Sequence, residues 1–159
     1  MKVGIYPGSF DPVTFGHLDI IKRATKIFDK IIIIVANNPM KNTLFSIDER
    51  IKLVKEVLKD YPMIEVETFS GLTVDCAKKF SADAIIRGLR MVTDFEFEFQ
   101  MNLANKVMNV DVETVFLMTK VENSYISSSL VKEIHQLEGD ISKFVPECVK
   151  KALDEKSLR

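Results

Sequence analysis

Residues 31–35 read Ile31-Ile32-Ile33-Ile34-Val35, an apolar run without a polar residue. A strand with one face in water alternates polar and apolar side chains. A strand covered on both faces does not, and such strands belong to parallel sheets sandwiched between helices. On the N-terminal side of this run, Val3 to Tyr6 forms a short β-type segment stopped by Pro7-Gly8. A polar, Gly/Pro-rich loop follows to Gly16. Leu18, Ile21, Ala24, Ile27 and Phe28 then recur at helical spacing, which predicts a helix from about His17 to Asp29. On the C-terminal side, a loop with Asn37, Asn38, Pro39 and Lys41 leads to Ser46-Ile47-Asp48-Glu49, a capping-box pattern opening a helix to about Lys59.

The remaining chain repeats this alternation. Strands are predicted at 64–69, 84–86 (ending at Arg87-Gly88) and 112–118, with a short helix over 73–80. Asp94-Phe95-Glu96-Phe97-Glu98-Phe99 alternates as a strand would. Yet Met91, Phe95, Phe99, Leu103 and Val107 continue at a spacing of four with no turn residue between them, so a helix over 92–108 is the better reading. Phe97, Met101 and Met108 make that helix apolar on a second side, as expected where one side meets another subunit. Ser127-Ser128-Ser129 opens a helix to about Gln136, and Val145-Pro146 starts the last one. This order predicts one domain over 1–159, of the α/β class: a Rossmann-like open five-stranded parallel sheet with helices on both faces. With strand order 3-2-1-4-5, ligands bind beyond the strand ends where the first and fourth strands adjoin.

Composition narrows the function. The 159 residues carry 22 Lys plus Arg against 23 Asp plus Glu, which argues against a general nucleic-acid binder. Cys76 and Cys148 lack metal-ligand spacing and read as reduced, apolar side chains. No apolar stretch at the N-terminus has signal-peptide or membrane-spanning length, so a cytoplasmic protein with no membrane partner is expected.

Three constellations stand where ligands are expected. Gly8-Ser9-Phe10-Asp11-Pro12 and Thr14-Phe15-Gly16-His17 place a glycine turn and a helix start after the first strand, with His17 directed at a phosphoryl oxygen. Neither GxxxxGK[ST] nor GxGxxG is present. Lys41, Arg87 and Arg90 lie on loops after strands and can reach one rim, and a guanidinium at position 87 suits a phosphate. Ser124-Tyr125-Ile126-Ser127-Ser128-Ser129 opens a second helix start. Glu98 and His135 read as solvated surface residues, and Asp11 and Asp19 form no evident two-metal site.

These residues resemble a known family. Thr14-Phe15-Gly16-His17 is similar to the (H/T)xGH motif of the adenylyl- and cytidylyltransferases, and Ile126-Ser127-Ser128-Ser129 to their second signature. Together with Tyr6-Pro7-Gly8-Ser9-Phe10-Asp11-Pro12, Ile86-Arg87-Gly88-Leu89-Arg90, Asp94-Phe95-Glu96 and Tyr125 to Lys132, the chain resembles the bacterial phosphopantetheine adenylyltransferases along essentially its whole length. Phe15 stands where the familiar motif has Asn, and Thr73 where a larger apolar residue is common.

The resemblance implies transfer of AMP from ATP to 4'-phosphopantetheine, giving dephospho-coenzyme A and pyrophosphate, with Mg2+ as cofactor and a homohexameric assembly. It implies that His17 stabilises the transition state together with Lys41 and Arg90. It assigns ATP to Ser9, Phe10, His17, Gly88, Leu89, Arg90, Glu98, Asn123, Ser124, Tyr125, Ile126, Ser127, Ser128 and Ser129. The acceptor falls to Ser9, Lys41, Thr73 and Arg87, and coenzyme A is a candidate inhibitor. From the residues alone, a sister enzyme acting on nicotinate mononucleotide or an alcohol phosphate stays open, as does a non-catalytic nucleotide sensor.

Overall fold

The structure, a computed structural model, describes residues 1–38, 40, 42–108 and 111–157, apart from the side chains of residues 92 and 93. Strands β1 (Val3–Gly8), β2 (Lys30–Ala36), β3 (Ile64–Phe69), β4 (Ala84–Leu89) and β5 (Glu113–Met118) form one parallel sheet in the order β3-β2-β1-β4-β5. Helices α1 (Phe15–Ala24), α2 (Ile47–Val57), α3 (Thr73–Lys79), α4 (Val92–Met108), α5 (Ser128–Gln136) and α6 (Glu147–Ser157) connect and cover the strands. The predicted fold class and strand order are those observed.

The run at residues 31–35 is buried throughout and divides between two cores by alternation. Ile31, Ile33 and Val35 join Tyr6 and Ile86 in a cluster with Ile20 and Ile21 of α1, Val54 of α2, Val131 of α5 and Leu153 of α6. Ile32 and Ile34 join Val3, Ile5 and Ile85 in a second cluster with Cys76 and Ala77 of α3. Successive strand residues point to opposite faces, so the parity of a residue in β1 or β4 tells on which face its side chain emerges. Helix α4 packs against β4 and α3. Both cysteines are free thiols, Cys76 buried and Cys148 partly so.

Two boundaries differ from expectation in ways that shape the site. Pro7 and Gly8 continue β1 instead of stopping it, pairing with Ile34 and Val35. Proline is tolerated because its missing N–H falls toward β4, and there the backbone ladder has already ended at Ile5↔Ile85. Likewise β4 runs on through Arg87, Gly88 and Leu89, paired with Phe116, Leu117 and Met118. Arg87 is therefore a strand residue, not a loop residue as the sequence predicts. Since β1–β2 and β4–β5 stay paired to their ends while β1 and β4 part early, a crevice opens between the two middle strands.

Helix α1 ends at Ala24, short of Asp29, because the chain tightens into a turn: the N–H groups of Ile27 and Phe28 both donate to the Ala24 carbonyl, at 2.9 and 3.0 Å. Asp29 N–H then donates to the Lys2 carbonyl at 2.9 Å, which feeds the chain into β2.

Candidate active site

The crevice is a cleft of about 410 Å³ at the C-terminal ends of β1 and β4. Of the sequence-predicted residues, Ser9, His17, Thr73, Arg87, Gly88, Arg90, Ile126, Ser127 and Ser128 line it. Phe10, Leu89, Glu98, Asn123, Ser124, Tyr125 and Ser129 are not among the lining residues. Lys41 lies outside the described residues.

His17 is positioned by its own helix start. Thr14 caps α1 with its hydroxyl, and in return the His17 ring Nδ1 accepts from the Thr14 N–H at 3.0 Å. That is a capping box with imidazole in the place usually taken by Glu or Gln. An Nδ1 that accepts cannot carry the proton in a neutral ring, so Nε2–H is the donor. Burial pulls the ring's pKa down from 6.5 to about 4, and the Arg90 charge pulls the same way. At neutral pH the half-buried ring is thus an uncharged donor of fixed tautomer. Phe10 packs against it with ring centroids 4.9 Å apart.

Phe10 is only 1% exposed, and Leu89 and Ile126 2% each, so their side chains are packed into the protein and not offered to a ligand. Phe10 adopts a φ of 47°, an uncommon conformation for a side chain of that size.

The two helix starts differ as anion sites. At α1, Phe15 N–H is taken by the Phe144 carbonyl at 2.9 Å and His17 N–H by the Thr14 hydroxyl, leaving Gly16 N–H without a partner among the described residues. A Cβ at Gly16 would sit 3.5 Å from the Ile126 carbonyl, so the α1 tip lies against the segment leading into α5. At α5, the Ser127 hydroxyl takes only the Leu130 N–H, at 3.0 Å. The N–H groups of Ser128 and Ser129 are left without partners among the described residues, and α5 offers the larger cradle for an anion.

Parity sends the guanidiniums to different places. Gly88 shares a face with Ile86, beside α1 and α5. Arg87 shares the opposite face with Ile85, beside α3 and α4. The rim common to Arg87 and Arg90 expected from sequence is thus the edge of the sheet itself, with Arg87 below it and Arg90 at the loop after β4. Arg90 is held by Asp94, with Nε 3.1 Å from Oδ2.

Glu98 is not solvated. Its carboxylate accepts from Arg87 Nε at 2.7 Å and from Arg87 Nη2, and its side chain is 13% exposed. Arg87 Nη1 donates to the Pro7 carbonyl at 3.1 Å, crossing the gap that the backbone ladder leaves open. His135 is likewise no free surface residue: its Nε2 lies 2.9 Å from Asp154 Oδ1, joining α5 to α6.

Sequence reasoning missed two buried charges that set the shape of the cleft. The Asp11 carboxylate is 4% exposed and accepts from Leu44 N–H and Phe45 N–H at 2.9 Å each and from Lys132 Nζ at 2.8 Å. Burial opposes its ionisation, but the Lys132 and backbone hydrogen bonds outweigh that and its pKa falls below the usual carboxylate value. One carboxylate thereby fastens the first loop to the chain after β2 and to α5. Arg50 is 3% exposed and donates through Nη1 to the carbonyls of Ser9 and Ala36, at 2.8 and 3.0 Å. A signal was present for Arg50: it sits between Ile47 and Val54 on the apolar stripe of α2.

Comparison with known proteins decides the family. Residues 5–134 match the cytidylyltransferase-like family model. A protein of Caldanaerobacter subterraneus subsp. tengcongensis named phosphopantetheine adenylyltransferase is 62% identical over 156 residues, covering 98% of each chain. The chain belongs to the phosphopantetheine adenylyltransferase family. Relatives of the same name from Geotalea daltonii (57% identical, covering 100% of this chain and 99% of that one) and Alkaliphilus metalliredigens (55%, covering 99% and 100%) agree. As in that family, the chain is a nucleotidyltransferase, with its cleft where the strand order reverses.

Proposed function

We propose that this phosphopantetheine adenylyltransferase family member transfers AMP from ATP to the phosphate of 4'-phosphopantetheine, through the cleft between β1 and β4. The observation that carries the reading is the division of that cleft by the sheet edge. His17 Nε2–H and the α5 start face one side. The guanidinium of Arg87, with Thr73 at the start of α3, faces the other. Two phosphorylated reactants approaching from opposite faces meet at the edge.

In the reaction, an oxygen of the acceptor phosphate attacks the α-phosphorus of ATP. The bond from that phosphorus to the bridging oxygen breaks, and its electron pair leaves with pyrophosphate. The reactants carry their own nucleophile and leaving group, so the protein acts by alignment and by stabilising charge. His17 donates Nε2–H to a non-bridging oxygen as charge builds on it, and Arg90 adds a cation nearby. Ser127 to Ser129 and Gly88 hold the nucleotide. Arg87 holds the acceptor phosphate, with Glu98 fixing the orientation of the guanidinium instead of touching ATP. Lys41 keeps the part that the resemblance gives it.

Among the described residues, no three metal-ligating side chains converge, and Asp11 is engaged by three donors of its own. The described groups do not make a cage for Mg2+, so the ion is assigned to the nucleotide's phosphates. Coenzyme A, built from the same halves as the product, would compete for the same cleft.

Assembly as a homohexamer is supported by α4, whose Phe95, Phe97, Phe99, Met101 and Leu103 are 43, 62, 46, 42 and 52% exposed. An apolar stripe of this length on a soluble domain marks an interface. Among the described residues no helix is long and apolar enough to cross a membrane; the free thiols and the use of ATP favour the cytoplasm.

The test is pyrophosphate release from ATP with either 4'-phosphopantetheine or nicotinate mononucleotide as acceptor. Release with the former is expected. Release with the latter alone would refute the assignment.

A further inference from the structure

Tyr6 occupies the place where the two middle strands part. It follows Ile5, the last residue of β1 in the ladder with β4, and its side chain emerges on the same face as Ile20 and Ile86. The residue is 7% exposed, its ring packed edge-on against Phe10 with centroids 5.6 Å apart. Among the described residues the hydroxyl has no hydrogen-bond partner, and it is not sealed off but opens into the cleft that Tyr6 lines. A tyrosine packed this deeply ordinarily gives its hydroxyl a protein partner. This one is left for something that enters the cleft.

Its neighbours say what enters. A Cβ built on Gly88 would lie 3.4 Å from the Tyr6 hydroxyl and 2.9 Å from Ile20 Cγ1. The hydroxyl therefore looks along the backbone of Gly88, on the face of His17 and the α5 start. The acceptor's cation, Arg87, projects from the opposite face. Burial holds the phenol well above its ordinary pKa, outweighing the pull of Arg87, so the group remains a donor. A donor at this depth, beside a backbone kept bare of side chain, suits an oxygen of a ribose or phosphate.

The geometry points to Tyr6 as a nucleotide-binding residue, its hydroxyl donating to an oxygen of ATP. The inference rests on the adenylyl-transfer reading of the cleft. Tyr6→Phe removes one oxygen and keeps the ring against Phe10, so the fold is preserved. ATP affinity, measured by calorimetry, should fall about tenfold, the loss of one hydrogen bond to a charged or polar ligand. The KM for 4'-phosphopantetheine should stay within about twofold, and the melting temperature should be unchanged, since the hydroxyl opens into the cleft and holds nothing within the protein.

ATP affinity unchanged in a variant of active wild-type enzyme would overturn the inference while leaving the reaction standing. A rise in the acceptor KM alone would also overturn it, by moving the hydroxyl to the other reactant. A wild-type protein that releases no pyrophosphate with any acceptor would instead remove the underlying reading.

Discussion

Consider Arg87→Ala. A guanidinium has five N–H groups. Three are engaged within the protein: Nε and one on Nη2 by Glu98, and one on Nη1 by the Pro7 carbonyl. That leaves two, one on each terminal nitrogen, for a phosphate. At about 1.5 kcal/mol for each charge-assisted bond, their loss costs about 3 kcal/mol, or roughly a hundredfold in acceptor affinity.

The expected kinetic signature is a rise in the KM for 4'-phosphopantetheine by about two orders of magnitude, with the KM for ATP nearly unchanged. The substitution also strands the Glu98 carboxylate, 13% exposed, at a cost of roughly 1–3 kcal/mol of stability. Adding Glu98→Gln should recover part of the stability and none of the acceptor affinity. Steady-state pyrophosphate release and denaturant melts on both variants supply the measurements. An acceptor KM within twofold of wild type, or equal losses for ATP and acceptor, would refute the reasoning.

Other expectations follow from the same contacts. His17→Ala should lower kcat by roughly two to four orders of magnitude with little change in ATP affinity; near-normal turnover would remove the ring from its role. Because the folded His17 pKa is about 4 against an ordinary 6.5, its contribution to stability is complete above about pH 6.5. It is lost as acid protonates the unfolded chain, by up to about 3 kcal/mol near pH 4. Melts of wild type against His17→Gln across that window test the sign, and kcat should show no inflection from this ring between about pH 6 and 8. Asp11→Asn keeps the size of the side chain but turns an amide N–H toward a donor, and should cost about 2–4 kcal/mol of stability in urea melts. Phe97→Glu should disperse the proposed hexamer in light scattering, since it puts a charge on the apolar stripe of α4.

The architecture was legible because β2 is apolar on both faces and because helical spacing on α4 outlasts its local alternation. Boundaries were legible only where a cap or glycine marks them. Pro7 was misleading, since nothing in the chain shows on which side of β1 its missing N–H falls. Of the residues carried by motif, Ser9, His17, Gly88, Ser127 and Ser128 line the cleft. Pairings were not legible: Glu98 is eleven residues from Arg87, and Lys132 far along the chain from Asp11, so their partnership exists only once the sheet has brought them together. Tyr6 heads one of the stretches that carry the resemblance, yet the place of its hydroxyl beside Gly88 shows only in the fold.

The early parting of β1 from β4 also constrains inhibitor design. On the proposed division of the cleft, a compound that joins a nucleoside to a pantetheine-like arm would not lie flat; it would fold over the lip of the sheet, with its linker crossing near Pro7 and Gly88. Stiff, straight linkers would hold one half out of its seat, whereas a linker already bent at its midpoint would seat both.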